Sequence, residues 1–171
     1  MGGIRAIYIA LRSDVSSIGS EATHVILLDF SSIHRIPCRG SFSSVEQVDD
    51  TTGASYYLDT LEVTPVRQMA DDAIPSLASI ASASPDDLVI LVEPWNTDYM
   101  FCLGYGFTGP DGDDVAEIAE YPVFRGGSQW VTGTEKTDAN GASFTLTSVH
   151  PFPAAMAAIE DSGAVDNPST D

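Results

Sequence analysis

The sequence predicts a mainly β protein: an antiparallel β-sandwich or curled sheet with one flanking α-helix. Three observations predict it. Eight short segments rich in β-branched and aromatic residues recur along the chain, each bounded by turn formers. Only one stretch carries a helical period, and no internal repeat divides the chain.

The strand segments are Ile4–Leu11, His24–Phe30, Ser41–Val48, Tyr56–Val63, Leu88–Glu93, Tyr99–Phe107, Gln129–Thr134 and Ser143–Val149. Between the third and fourth, Asp49-Asp50-Thr51-Thr52-Gly53 reads as a hairpin tip, with Gly53 supplying the positive φ a tight turn needs. The helix is expected to start at Asp71 or Asp72, whose carboxylates suit an N-cap, with Pro75 in its first turn. Ile74, Leu77, Ala78 and Ala81 then form one apolar stripe, and Ser84-Pro85-Asp86-Asp87 ends it ahead of the apolar strand Leu88–Val92. Gly109–Glu120, acidic and glycine-rich, reads as an exposed excursion. Asp138-Ala139-Asn140-Gly141 is a second strong turn, feeding a strand in which Phe144, Leu146 and, one step out of phase, Val149 suggest a buried face. Residues 1–161 are expected to form one domain, and 162–171 a polar tail with no packing pattern.

A chain of 171 residues is long enough for one core burying roughly 70% of its unfolded surface. A hydrophobic content of 43% and a mean hydropathy of +0.04 are those of a folded globular protein rather than a disordered acidic tail. Apolar runs such as Val25–Leu28 and Leu88–Val92 are too short to span a bilayer. Met1-Gly2-Gly3-Ile4-Arg5 lacks the charged-then-apolar pattern of a signal peptide. Twenty-five acidic residues against seven basic ones give a net charge of −18. Two origins fit, adaptation to a high-salt cytoplasm and a need to repel a polyanion. Either way such a surface opposes nucleic-acid binding, which requires cations to displace counterions from phosphates. Cys38 and Cys102 lack C-x-x-C spacing and sit in apolar segments; buried free thiols are expected, with a disulfide between them left open.

Chemistry-bearing patterns are sparse. Gly104-Tyr105-Gly106-Phe107-Thr108-Gly109 matches G-x-G-x-x-G, yet Pro110-Asp111-Gly112-Asp113-Asp114 follows, where a dinucleotide site needs a helix N-terminus and tolerates no anionic cluster. Asp111, Asp113 and Asp114 could hold a hard cation, but the closing Glu of a calcium loop is absent and a solvated loop is the expectation. His24, His34 and His150 have no partners at metal-ligand spacing. A Ser/His/Asp set can be assembled on paper from so many Ser and Asp residues, but no G-x-S-x-G elbow exists. Trp95, Trp130, Tyr56, Tyr57, Tyr99 and Tyr105 suit a core or subunit contact better than a sugar platform. No catalytic residue, cofactor or resident metal is expected.

The order of the pieces resembles small virion structural proteins of tailed phages and prophages, of the tail tube type. The opening Gly2-Gly3-Ile4-Arg5-Ala6-Ile7-Tyr8 is similar to their start, and Gly53-Ala54-Ser55-Tyr56-Tyr57-Leu58-Asp59-Thr60-Leu61 to the return strand of their hairpin. A helix, a strand ending in Val92-Glu93, Cys102-Leu103-Gly104, Val131-Thr132-Gly133-Thr134, Asn140-Gly141 and Phe144-Thr145-Leu146 continue the likeness through about Met156. Pro94-Trp95, where the family has an Asp-led turn, and the long Gly109–Gly127 stretch depart from it.

The resemblance implies assembly: six copies in a ring, rings stacked into a tube, and other tail proteins as further partners. It also implies a virion location after synthesis in the host cytoplasm, and the charge balance points to a host from high salt. The hairpin Phe42–Tyr57, including Glu46, Asp49, Asp50, Gly53 and Tyr56, is then the arm reaching the next ring. Glu46, Asp59 and Glu62 are candidates to line an acidic lumen past which DNA slides without binding. Related outcomes are a tail terminator or head-to-tail connector ring, a secretion-system tube, or a capsid or decoration protein. A halophilic soluble binding module is the alternative of a different class.

Overall fold

The computed structural model describes residues 3–21, 25–65, 85–95, 99–109, 117–131, 141–160 and 165–166. The expected helix over Asp72–Ser84 and the acidic trio Asp111, Asp113 and Asp114 lie outside them. Within them the chain is almost wholly β, in one large mixed sheet and one small hairpin.

Strand β1 (Ile4–Leu11) runs through a single 3-10 turn, Arg12–Asp14, into β2 (Val15–Glu21), which pairs with β3 (Val25–Phe30). Then come β4 (Ile33–Val48), β5 (Ser55–Pro65), β6 (Leu88–Pro94), β7 (Met100–Leu103) and β8 (Tyr105–Phe107). The chain closes with β9 (Ile118–Glu120), β10 (Phe124–Val131), β11 (Gly141–His150), β12 (Met156–Ile159) and the two-residue β13 (Val165–Asp166). The large sheet has the order β10-β11-β5-β4-β1-β6-β7-β12-β3-β2, with β13 added to β4; β8 and β9 form the hairpin. The ladders are antiparallel except β12 with β3 and β13 with β4, which run parallel. The expected antiparallel sheet is therefore mixed, and part of the expected free tail pairs through Val165 with Ile33.

Strand β4 carries the architecture. Its first half pairs with β1 from His34 to Pro37, and from Cys38 onward it pairs with β5. Pro37, with no N–H to give, sits at this changeover, where losing a ladder donor costs least. Gly40 follows with φ +155°, and a Cβ there would lie 1.8 Å from the Glu62 carbonyl oxygen, so only glycine lets the strands pass this closely. The sheet consequently folds over itself.

One core, including Ile7, Ile9, Ile36, Leu61, Val63, Ile90 and Leu146, lies between β1–β6–β7 and β5–β11. A second, including Ile26, Leu28, Phe30, Val89, Leu91 and Ala157, lies on the opposite face of β6, under β3 and β12. This explains why Leu88–Val92 is an uninterrupted apolar run: Leu88, Ile90 and Val92 face one core, Val89 and Leu91 the other. Each fully buried Leu or Ile side chain contributes about 1.5–3 kcal/mol. Cys38 and Cys102 are free and buried in different cores, and burial pushes each thiol up to about 12.

Arg12 ties the far ends together. Its Nε donates to the Asp86 carbonyl (2.6 Å), Nη1 to Gly104 O (3.0 Å) and Nη2 to Tyr121 O (3.3 Å). The guanidinium also lies 4.7 Å from the Tyr105 ring centroid. The Tyr121 N–H donates to Gly104 O (2.9 Å), so residues 121–123 form a strap fixed across the end of the first core.

Candidate functional site

Two features stand out on β4 and β5, one exposed and one buried. The exposed one is an arm. Pairing continues from Phe42↔Leu61 out to Val48↔Ser55, and the tip closes as the sequence predicts. The Gly53 N–H donates to Asp49 O (2.8 Å) and Gly53 has φ +72°. Asp49 Oδ1 accepts from the Thr51 N–H (2.8 Å) and, more weakly, the Thr52 N–H (3.4 Å), which holds its carboxyl below the usual range. Phe42 anchors the base by stacking on Phe101 with centroids 5.2 Å apart. Beyond it the ribbon faces solvent: Val45 is 50% exposed, Val48 58% and Tyr56 42%. Glu46, Asp50 and Glu62 are also exposed.

The buried feature corrects one expectation. Asp59, a candidate for the lumen, is fully buried, because its side chain shares the core face of β5 with Leu61 and Val63. The period of two also puts Glu62 on the opposite face from Asp59, so the three lumen candidates do not form one lining. Ser148 on β11 is directly opposite Asp59, and His150 is two residues further on the same face. His150 Nδ1 lies 2.8 Å from Asp59 Oδ2, Nε2 lies 3.0 Å from Ser148 Oγ, and the Ser148 hydroxyl donates to Pro122 O at 2.8 Å. The Tyr121 ring covers His150 with centroids 4.6 Å apart, and Gly106 sits beneath that ring, where an added Cβ would come within 3.1 Å of it.

These distances are those of a nucleophile, a base and its orienting acid, but the hydrogens are committed otherwise. The carbonyl of Pro122 can only accept, so it takes the single Ser148 hydroxyl hydrogen. His150 Nε2 must then be the donor to Ser148 Oγ, and cannot also remove its proton. The Nδ1 contact is off the line of a ring N–H, and among the described residues Asp59 Oδ1 has no donor. With all three side chains at 0–1% exposure, what the row can do is brace the strap against β11.

The sequence pattern does not bring Ser148 and His150 together, because it puts Val149 on the buried face. Val149 is exposed, and the in-phase series Leu146, Ser148, His150 points inward. The G-x-G-x-x-G match is accounted for by Leu103 ending β7, Gly104 turning the chain and Tyr105–Phe107 forming β8, which pairs with β9. The excursion from Gly109 thus returns as a strand, closed by the Thr108 N–H donating to Glu117 O (2.6 Å).

No protein-family model, curated protein or solved structure matches this chain.

Proposed function

We propose that this chain is a self-assembling structural subunit whose copies form rings that stack into a hollow tube, of the tail tube type its sequence resembles. The observation that carries the reading is the β4–β5 arm, a two-stranded ribbon projecting beyond the core with Val45, Val48 and Tyr56 uncovered. An isolated ribbon is marginal in water and gains most when another surface covers its apolar side chains. Open edges add support. Among the described residues β2 pairs only with β3 and β10 only with β11, and such edges pair readily with a neighbouring chain.

A ring closed edge to edge removes those exposed ladders, and arms reaching along the axis join one ring to the next. The net charge of −18 keeps the bore slippery to a polyanion such as a genome. Negative-stain imaging of the purified protein in molar salt tests the proposal. Stacked hollow rings are expected; uniform single subunits at every concentration overturn it.

A further inference from the structure

The few basic residues of this acidic chain are not dispersed. Arg5, Arg35 and Arg39, three of the seven, line one open groove of about 560 Å3 beside Trp95, Pro37 and Ile4. Glu93 pairs with both Arg5 and Arg35, the latter Nε to Oε2 at 3.1 Å, and so fixes the two guanidinium groups in place. Arg5 also lies over Trp95, 5.5 Å from the ring centroid, and Trp95 is 64% exposed. Arg39 is exposed and has no ion pair to any described residue. One carboxylate among three guanidinium groups leaves the groove net positive on a strongly negative molecule, with an aromatic wall. That combination fits a carboxylate-bearing peptide segment flanked by apolar side chains.

We propose that the groove receives the hairpin tip of a second copy, with Asp50 facing Arg39 and Tyr56 covering Trp95. This rests on the assembly reading above and names its joint. Asp50 is exposed at the tip, while Asp49 is already engaged in holding the turn. The exposed Val48 and Tyr56 lie on the last rungs before the tip. The tip cannot enter its own groove. Gly40 lines that groove at the base of the same strand, and the paired ladder from Ser41 to Val48 holds the two apart by about 25 Å of extended chain. Tip into base is therefore a contact between different copies, and being head-to-tail it propagates.

Sedimentation velocity on four samples tests this: the wild type, Arg39→Glu, Asp50→Arg, and an equimolar mixture of the two variants. Both positions are exposed and make no ion pair with any described residue, so unchanged thermal unfolding is expected and is checked for each. Either variant alone sets like charges face to face, and the concentration needed for assembly should rise about tenfold or more. In the mixture each chain's tip meets the other's groove with opposite charge, and assembly should return as an alternating polymer. If Arg39→Glu blocks assembly while Asp50→Arg does not, another acid fills the groove and the proposal fails. It fails equally if neither variant matters or if the mixture stays dissociated, with the assembly reading intact. A wild type that is monomeric throughout removes both.

Discussion

Strands β4 and β5 pass through two environments, one sealing polar side chains inside and one leaving apolar side chains uncovered. Near the strap, the carboxylate of Asp59 is sealed inside with Ser148 and His150. A few rungs outward, Val45, Val48 and Tyr56 stand in water. If solvent exposure alone governed the placement, the residues would be exchanged. The inner end holds a carboxylate against a buried histidine, and so commits both to one geometry. The outer end leaves apolar surface open, which is favourable only when something else covers it. Polar groups thus fix the inner end, and apolar groups stand uncovered at the outer one.

The inner end should be the more sensitive. His150→Ala removes the group facing Asp59 and is expected to cost about 3–5 kcal/mol in chemical unfolding. The double replacement Asp59→Leu with His150→Leu should recover much of that loss, since no charge is then stranded. A double variant as unstable as the single one would show that the pair is not coupled. At the corner between the two environments, Gly40→Ala brings a Cβ against the Glu62 carbonyl and should cost about 1–3 kcal/mol. An unchanged unfolding midpoint would mean that the corner opens freely.

The two cores add a pH signature at the alkaline end. Native Cys38 and Cys102 hold their protons up to about 12, against an unperturbed value of 9.0. Between those values the unfolded chain has released protons that the native chain keeps. Stability from this source is therefore full below pH 9 and falls as pH rises toward 12. Replacing both cysteines with alanine should flatten that part of the unfolding profile, whatever it does to stability at neutral pH. Smallest for the isolated subunit, Val45→Ser, Val48→Ser and Tyr56→Ser should each change stability by within about 0.5 kcal/mol.

The arm was legible in the sequence because its information is local. A five-residue turn from Asp49 to Gly53 separates two alternating strands, and the turn forms as read. The first half of β4 was not, because Pro37 and Gly40 look like strand breakers until the strand is seen to change partners between them. Edge strand β2, Val-Ser-Ser-Ile-Gly-Ser-Glu, has little β-propensity and owes its form to β3. The buried row and the arginine groove are long-range constructions. Asp59 meets His150 across two strands, and Arg5, Arg39 and Trp95 come together only because β1 lies between β4 and β6. No spacing along the chain announces either one.

The most direct measurement compares the wild type with the combined Val45→Ser, Val48→Ser, Tyr56→Ser variant by sedimentation velocity and by thermal unfolding. The wild type should sediment as an assembly, and the variant as an 18.1 kDa monomer with an unfolding midpoint close to that of the isolated wild-type subunit. If the variant assembles as fully as the wild type, the uncovered side chains of the arm are not what holds the copies together.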